Sequence, residues 1–240
     1  MKNILLLGIF SLLFWGNIHA QNFPFDTAQS NNKSIYDKKI LIGLQFNQSF
    51  TSLNIGEQPR AYFFKPSIGI GLRLNYYFAK KWGLAIGIDY QQRGTGVKNP
   101  DFEGGLGNPD STNRERLRFN CLEIPIHLLY RSASPIFKNQ NMRWSLFVGI
   151  APSYNLQASD VFHSIEDGFH QVVYVTDLYA RFDAIAQMGI GLEFQAGYGT
   201  LFQLHLIGNL GLLNVYNSEI TFGKYSARNS AFGLRLGFMF

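Results

Sequence analysis

His163, Ser164 and Glu166 put a base, a nucleophile and an acid within four consecutive residues, His163-Ser164-Ile165-Glu166. Acyl transfer uses those three types, but it needs them converging across a fold, and neighbours in one loop seldom do so. The stretch therefore reads as solvated loop. Asp160, Glu166, Asp167 and Asp177 surround it with no Lys or Arg between 158 and 178. Hard cations want several oxygens, yet this spacing matches no calcium loop. Gly69-Ile70-Gly71 and Gly189-Ile190-Gly191 are not phosphate cradles, because no helix follows them. Cys121 is the single cysteine, so no internal disulfide forms, and it reads as a small packed residue. No catalytic residue, metal ligand or cofactor site is expected.

A second set of charged residues is spaced differently. Arg73, Asp89, Arg93, Glu123, His127, Arg143, Arg181, Asp183, Glu193, His205 and Arg235 each fall among alternating bulky apolar residues. Side chains alternate across a strand, so such charges share one face while the greasy residues share the other. The pattern is clearest from Ala231 to Phe240. Phe232, Leu234, Leu236, Phe238 and Phe240 point one way, and Ala231, Gly233, Arg235, Gly237 and Met239 the other. It recurs upstream at about 39–50, 67–78, 82–94, 117–130, 143–157, 179–196 and 200–215. Eight such segments, apolar outside and polar inside, predict an all-β, eight-stranded antiparallel up-and-down transmembrane barrel. Phe238 and Phe240 are expected to serve as the signal for outer-membrane insertion.

The elements around those charges follow from the same reading. Ala79–Lys81 and Gly197–Gly199 are tight turns, whereas 51–66, 95–116, 158–178 and 216–227 are long. Short inner turns and long outer loops place both termini in the periplasm; the connection 131–142 is a longer inner turn. Tyr76, Phe78, Trp82, Tyr130, Trp144 and Phe240 should girdle the inner interface, with Tyr90 and Tyr154 near the outer one. Leu117 and Phe119 share the parity of Glu123, so a bulge near Asn120 is expected to turn them outward. Eight strands enclose a space that side chains roughly fill. The inward charges should pair, because isolated buried charge is costly. They read as a structural polar core, with a narrow ion or proton path as the alternative.

Residues 1–20 read as a signal peptide: Lys2, an apolar run from Ile4 to Trp15, and the small Ala20 at the cut. Residues 21–38 read as a flexible periplasmic leader, and 39–240 as the barrel. No later run of about eighteen apolar residues exists, so helical spans are excluded. Net charge is +5, and the bases are scattered rather than striped, which argues against nucleic acid as partner. Outer-membrane lipid and, during insertion, the barrel-assembly machinery are the expected partners.

Cys121-Leu122-Glu123-Ile124-Pro125-Ile126-His127-Leu128-Leu129-Tyr130 resembles the corresponding strand of PorT-like outer-membrane barrels, and Gly211–Val215 looks alike as well. The resemblance implies eight antiparallel strands and no catalytic residues. It also implies, through the namesake, an accessory part in type IX protein secretion with other envelope or secretion proteins as partners. In this strand Glu123 should bind an arginine in the lumen, and Pro125, lacking an N–H, should interrupt the ladder. The reading favoured is a non-enzymatic outer-membrane barrel acting through its outer loops or a periplasmic partner. The alternatives are a secretion accessory, a lipid-modifying enzyme and a narrow channel.

Overall fold

Period-two alternation carries through nearly every strand and closes the sheet on itself. The computed structural model describes residues 34–55, 61–98, 114–136, 142–163, 170–196, 199–216 and 227–240. Its strands are β1 (Ile40–Ile55), β2 (Ala61–Phe63), β3 (Lys65–Tyr77), β4 (Trp82–Lys98), β5 (Arg114–Glu123), β6 (Ile126–Arg131), β7 (Met142–His163), β8 (His170–Tyr174), β9 (Phe182–Ala196), β10 (Thr200–Gly211) and β11 (Ala227–Met239). β5 and β6 form one stave of the barrel, interrupted at Ile124-Pro125. β2 and β8 are short additions that pair with β4 and β7. The remaining strands pair antiparallel with their neighbours in the chain, and β11 returns to β1 with Leu44 opposite Phe238 and Phe50 opposite Phe232. The result is a closed eight-stranded antiparallel barrel.

Polarity is inverted relative to a protein folded in water. Ile42, Leu72, Ile88, Val148, Met188 and Leu206 are all more than half exposed, while Arg73, Asp89, Glu123, His127 and Arg235 are buried. Part of the expected inner-interface girdle stands on this exposed face at the end carrying the tight turns: Trp82 and Trp144 flank Tyr130, with ring centroids 4.9 and 5.2 Å away. Small inward residues make room for the lumen's contents. A Cβ on Gly71 would overlap Asp89 Oδ1, and one on Gly189 would overlap the Phe147 ring.

Several expected boundaries shift. β3 begins at Lys65, β4 continues to Lys98 and β7 continues to His163, where it turns back through β8. The expected loops 51–66, 95–116 and 158–178 are thus partly sheet. β9 begins later than expected, at Phe182, and β10 ends earlier, at Gly211. The bulge lies at the expected height but in the partner strand. Asn120 pairs with Gln157 and Cys121 with Asn155, so Leu156 of β7 is the extra residue. The parity of β5 therefore never slips, and Leu117 and Phe119 face inward, buried, contrary to expectation.

The leader reading also changes at its end. Residues 1–33 lie outside the described residues, but Ile35–Asp37 form a 3-10 turn capped by Ser34, and Ile35 and Tyr36 are buried. They join Leu41, Tyr77, Leu201 and Met239 in an apolar cluster. A second cluster, around Leu53, Leu117, Phe119, Tyr179 and Val215, lies where the strands run toward the long connections. We call these the turn end and the loop end.

Candidate functional site: the polar lumen

Between the two apolar clusters lies a layer of charge built from inward positions on β1, β3, β4, β5, β6, β9 and β11. Arg93 Nε donates to Glu123 Oε1 at 2.7 Å, and Nη2 lies 2.6 Å from the same oxygen. Glu123 Oε2 accepts from Gln187 Nε2 at 3.2 Å. Gln187 Oε1 lies 2.8 Å from His127 Nε2, and Arg73 Nη1 lies 3.2 Å from His127 Nδ1. A guanidinium only donates, so Nδ1 must accept and the ring proton must sit on Nε2, directed at Gln187. Arg73 also donates twice to Gln45 Oε1 and pairs with Asp89 Oδ2 at 3.5 Å. Gln45 Nε2 closes the loop by donating to Asp89 Oδ2. One continuous chain, Asp89–Gln45–Arg73–His127–Gln187–Glu123–Arg93, thus spans the lumen. Every link joins a donor to an acceptor, which is how buried charge becomes tolerable.

Phe147 occupies the centre. His127 stacks on it at 4.6 Å, His205 meets it edge-on at 5.4 Å, and the Arg235 guanidinium lies 4.6 Å from its centroid. Arg235 Nε donates to Asn47 Oδ1 at 3.0 Å, and His205 Nε2 lies 2.8 Å from Ser145 Oγ.

The turn end is closed by a cation–π clamp. Tyr36 lies under Arg143 at 4.0 Å and within 5.3 Å of Arg131, which in turn sits 3.4 Å from the Tyr77 ring. Arg131 pairs with Glu193 at 3.4 Å, and Gln203 Nε2 donates to the other Glu193 oxygen at 2.7 Å. Tyr36 Oη donates to the Glu193 carbonyl at 3.3 Å, and Ser34 Oγ donates to Gln195 Oε1 at 3.1 Å. Burial, reinforced by the Glu193 charge, pushes the Tyr36 phenol up to about 12. At the loop end, Phe119 packs edge-on against Tyr179 at 4.9 Å, and Cys121 Sγ donates to Asn155 Oδ1 at 3.0 Å.

Arg73, Asp89, Arg93, Glu123, His127, His205 and Arg235 of the expected lumen set are brought together in the middle of the bore, but Arg143, Arg181, Asp183 and Glu193 are not, Glu193 belonging to the turn-end clamp. Arg181 lies on the surface beside Asp177 at 3.4 Å, because β9 does not begin until Phe182. Arg143 is only half-buried and belongs to the Tyr36 clamp rather than to the central chain. Asp183 lies nearer the loop end, held by Asn229 Nδ2 and the backbone N–H groups of Ala184 and Leu213. Sequence reading missed Arg131 and Lys65, both buried. Their parity was available: Arg131 is in phase with Glu123 and His127, and Lys65 with Arg73. Each falls in a stretch that reads as a connection, 51–66 or 131–142. Ser164, Glu166 and Asp167 lie outside the described residues, and His163 is the last residue of β7, paired with Arg114 and His170.

The whole arrangement agrees with a family model described as an outer membrane protein beta-barrel domain, which matches residues 20–217. The chain belongs to this outer-membrane β-barrel family. No curated protein matches it. Among solved structures, this outer-membrane barrel is similar to OprG from Pseudomonas aeruginosa, at 12% identity over 84% of this chain and 95% of that one, with a TM-score of 0.45. It is similar to Ail, the attachment invasion locus protein of Yersinia pestis, in complex with the heparin analogue sucrose octasulfate: 13% identity, 85% and 100% covered, TM-score 0.40. The outer membrane enzyme PagL is also similar, at 12% identity, 80% and 97% covered, TM-score 0.37.

Proposed function

We propose that this outer-membrane barrel is a non-enzymatic, plugged barrel that acts through the surfaces at its two ends. The observation that carries the reading is the filling of the lumen in three layers: the Tyr36 clamp, the charged chain through His127, and the Phe119–Tyr179 plug. Among the described residues a bore packed this way leaves little room for an aqueous path, as a small barrel's interior is only wide enough for its own side chains. What remains for work is the loop end, where the β7–β8 hairpin and the β2–β4 pairing extend the sheet, and the turn end. With tight turns inside and long connections outside, the turn end faces the periplasm. Extraction in mild detergent followed by identification of co-purifying proteins tests the reading. A stable envelope partner supports it; conductance steps in a planar bilayer would overturn the plugged lumen.

A second reading, an accessory of type IX secretion, is favoured by the PorT-like stretch Cys121–Tyr130. Glu123 of that stretch binds Arg93, and Pro125 divides β5 from β6, so its residues also have structural reasons to be there. Secretion assays on a deletion strain separate the two: normal secretion removes the second. Unchanged lipopolysaccharide acylation in a His163→Ala, Ser164→Ala variant removes a lipid-modifying role.

A further inference from the structure

Three of the buried lumen arginines have carboxylates: Arg73 with Asp89, Arg93 with Glu123, Arg131 with Glu193. Arg235 is as deeply buried, at 6% exposure, and among the described residues no carboxylate lies within ion-pair distance of it. Its hydrogen bond goes to the neutral Asn47, and its flat face rests near Phe147. The remaining lumen acid, Asp183, cannot serve. It lies eight residues along β9 from Gly191, the residue opposite His205, or roughly 26 Å of strand. A buried guanidinium with no carboxylate in contact costs more than a paired one; Asp89 and Glu123 act on Arg235 only from beyond ion-pair distance, so positive charge at this level of the lumen is left to neutralise.

A cavity of about 30 Å³ lies beside this charge, lined among others by Arg235, Arg73, His205, Ser145, Gln203 and Asn75. That is room for one or two water-sized spheres, hence for one monatomic anion. Three further buried atoms on its lining residues, His205 Nδ1, Asn75 Oδ1 and Glu193 Oε2, have unused hydrogen-bonding capacity. His205 Nδ1 is buried without a partner. Ser145 Oγ–H has two acceptors in reach, His205 Nε2 and the Glu193 carboxylate; its donation to Nε2 puts the ring proton on Nδ1, available to a ligand. Asn75 Oδ1 is likewise buried and unpartnered; exchanging its amide O and N, which are assigned from the hydrogen-bond network, presents N–H instead. The carboxylate oxygen Glu193 Oε2 is an acceptor and holds no anion; its charge is offset by Arg131 at 3.4 Å.

We propose that this cavity binds a halide-sized inorganic anion, chloride in the cell, held by the Arg235 guanidinium with His205 and Arg73 around it. The site completes the charge pairing of the lumen and locks β11 to β10 and β7, which carry Arg235, His205 and Ser145. It stands independently of the function proposed above.

Crystals of the refolded protein grown in bromide test it directly on the unaltered chain. An anomalous peak in the cavity, within hydrogen-bonding reach of Arg235, is expected; a water at that position with no anomalous signal overturns the proposal. In solution, the midpoint of the heat-modifiable gel transition should rise by a few degrees when gluconate is replaced by chloride at constant ionic strength. The same midpoint in both salts would also overturn it. Arg235→Gln should retain the folded-barrel gel mobility and lose the chloride dependence. If that variant fails to fold, the bromide crystals still decide.

Discussion

At the scale of single residues, the lumen is governed by the cost of leaving one partner alone. Arg93→Met strands Glu123, whose two oxygens then keep only Gln187. The expected loss is about 3–5 kcal/mol, measured by reversible urea unfolding in lipid vesicles and followed by Trp82 and Trp144 fluorescence. The double variant Arg93→Met, Glu123→Met should recover a large part of that loss, because it removes both charges and replaces them with apolar bulk. Additive losses would contradict the pairing. Phe119→Ala is a different experiment. It leaves a void against Tyr179 and should cost about 3–5 kcal/mol, yet the bilayer should stay electrically silent, since the charged layer beneath still fills the bore. The partners of these charges were legible in part. Parity alone places Arg73, Asp89, Glu123, His127 and Arg235 on one face, but the choice of partner depends on register across several strands. The neutral links Gln45 and Gln187, which make one chain out of separate pairs, share that inward parity but carry no charge signal to mark them as links.

At the scale of elements, the outward faces of the strands were plain in the sequence because lipid-facing positions admit little but apolar residues. The ends were not. Leu117 and Phe119 are as greasy as any outward residue, and only the position of the bulge, on β7 at Leu156 rather than on β5, decides that they face inward. A bulge leaves no compositional mark that says which of two paired strands carries it. The turn Ile35–Asp37 was hidden for a similar reason: three residues between polar flanks have no period to read. Yet they form a latch, because the Tyr36 ring meets the Arg131 and Arg143 cations and its hydroxyl donates to the Glu193 backbone carbonyl. Tyr36→Ala should free residues before Lys39 to protease while the barrel itself stays resistant, measured by limited proteolysis and mass spectrometry. The latch should also respond to pH. The phenol's affinity for its proton is higher in the folded state, about 12 against an ordinary value near 10. The folded state therefore holds that proton more tightly. Stability from this group is fully present below pH 10 and is lost as pH rises toward 12. Proteolysis at this segment should accelerate across that window, and Tyr36→Phe, which keeps the ring and has no proton to lose, should flatten the response.

At the scale of the whole molecule, the inverted polarity ties fold to environment. A surface on which Ile42, Leu72, Ile88, Met188 and Leu206 are each more than half exposed is stable only where hydrocarbon, not water, meets it. The cost of a charge placed there should consequently depend on depth rather than on local packing. Leu206 lies mid-strand, opposite Leu234 on one side and Ile190 on the other, and it is among the most exposed of the large apolar residues. Leu206→Arg should destabilise the barrel by about 2–4 kcal/mol in vesicles, the amount expected near a bilayer midplane. Leu212→Arg, just beyond the loop-end terminus of β10, should cost no more than about 1 kcal/mol, because the headgroup region accepts the charge. The comparison is made by urea unfolding of both variants in the same lipid. Equal costs at the two positions would mean that something other than hydrocarbon covers this face. A graded cost would fix which band of the barrel lies in the membrane, and with it how far the β7–β8 hairpin stands clear to meet a partner.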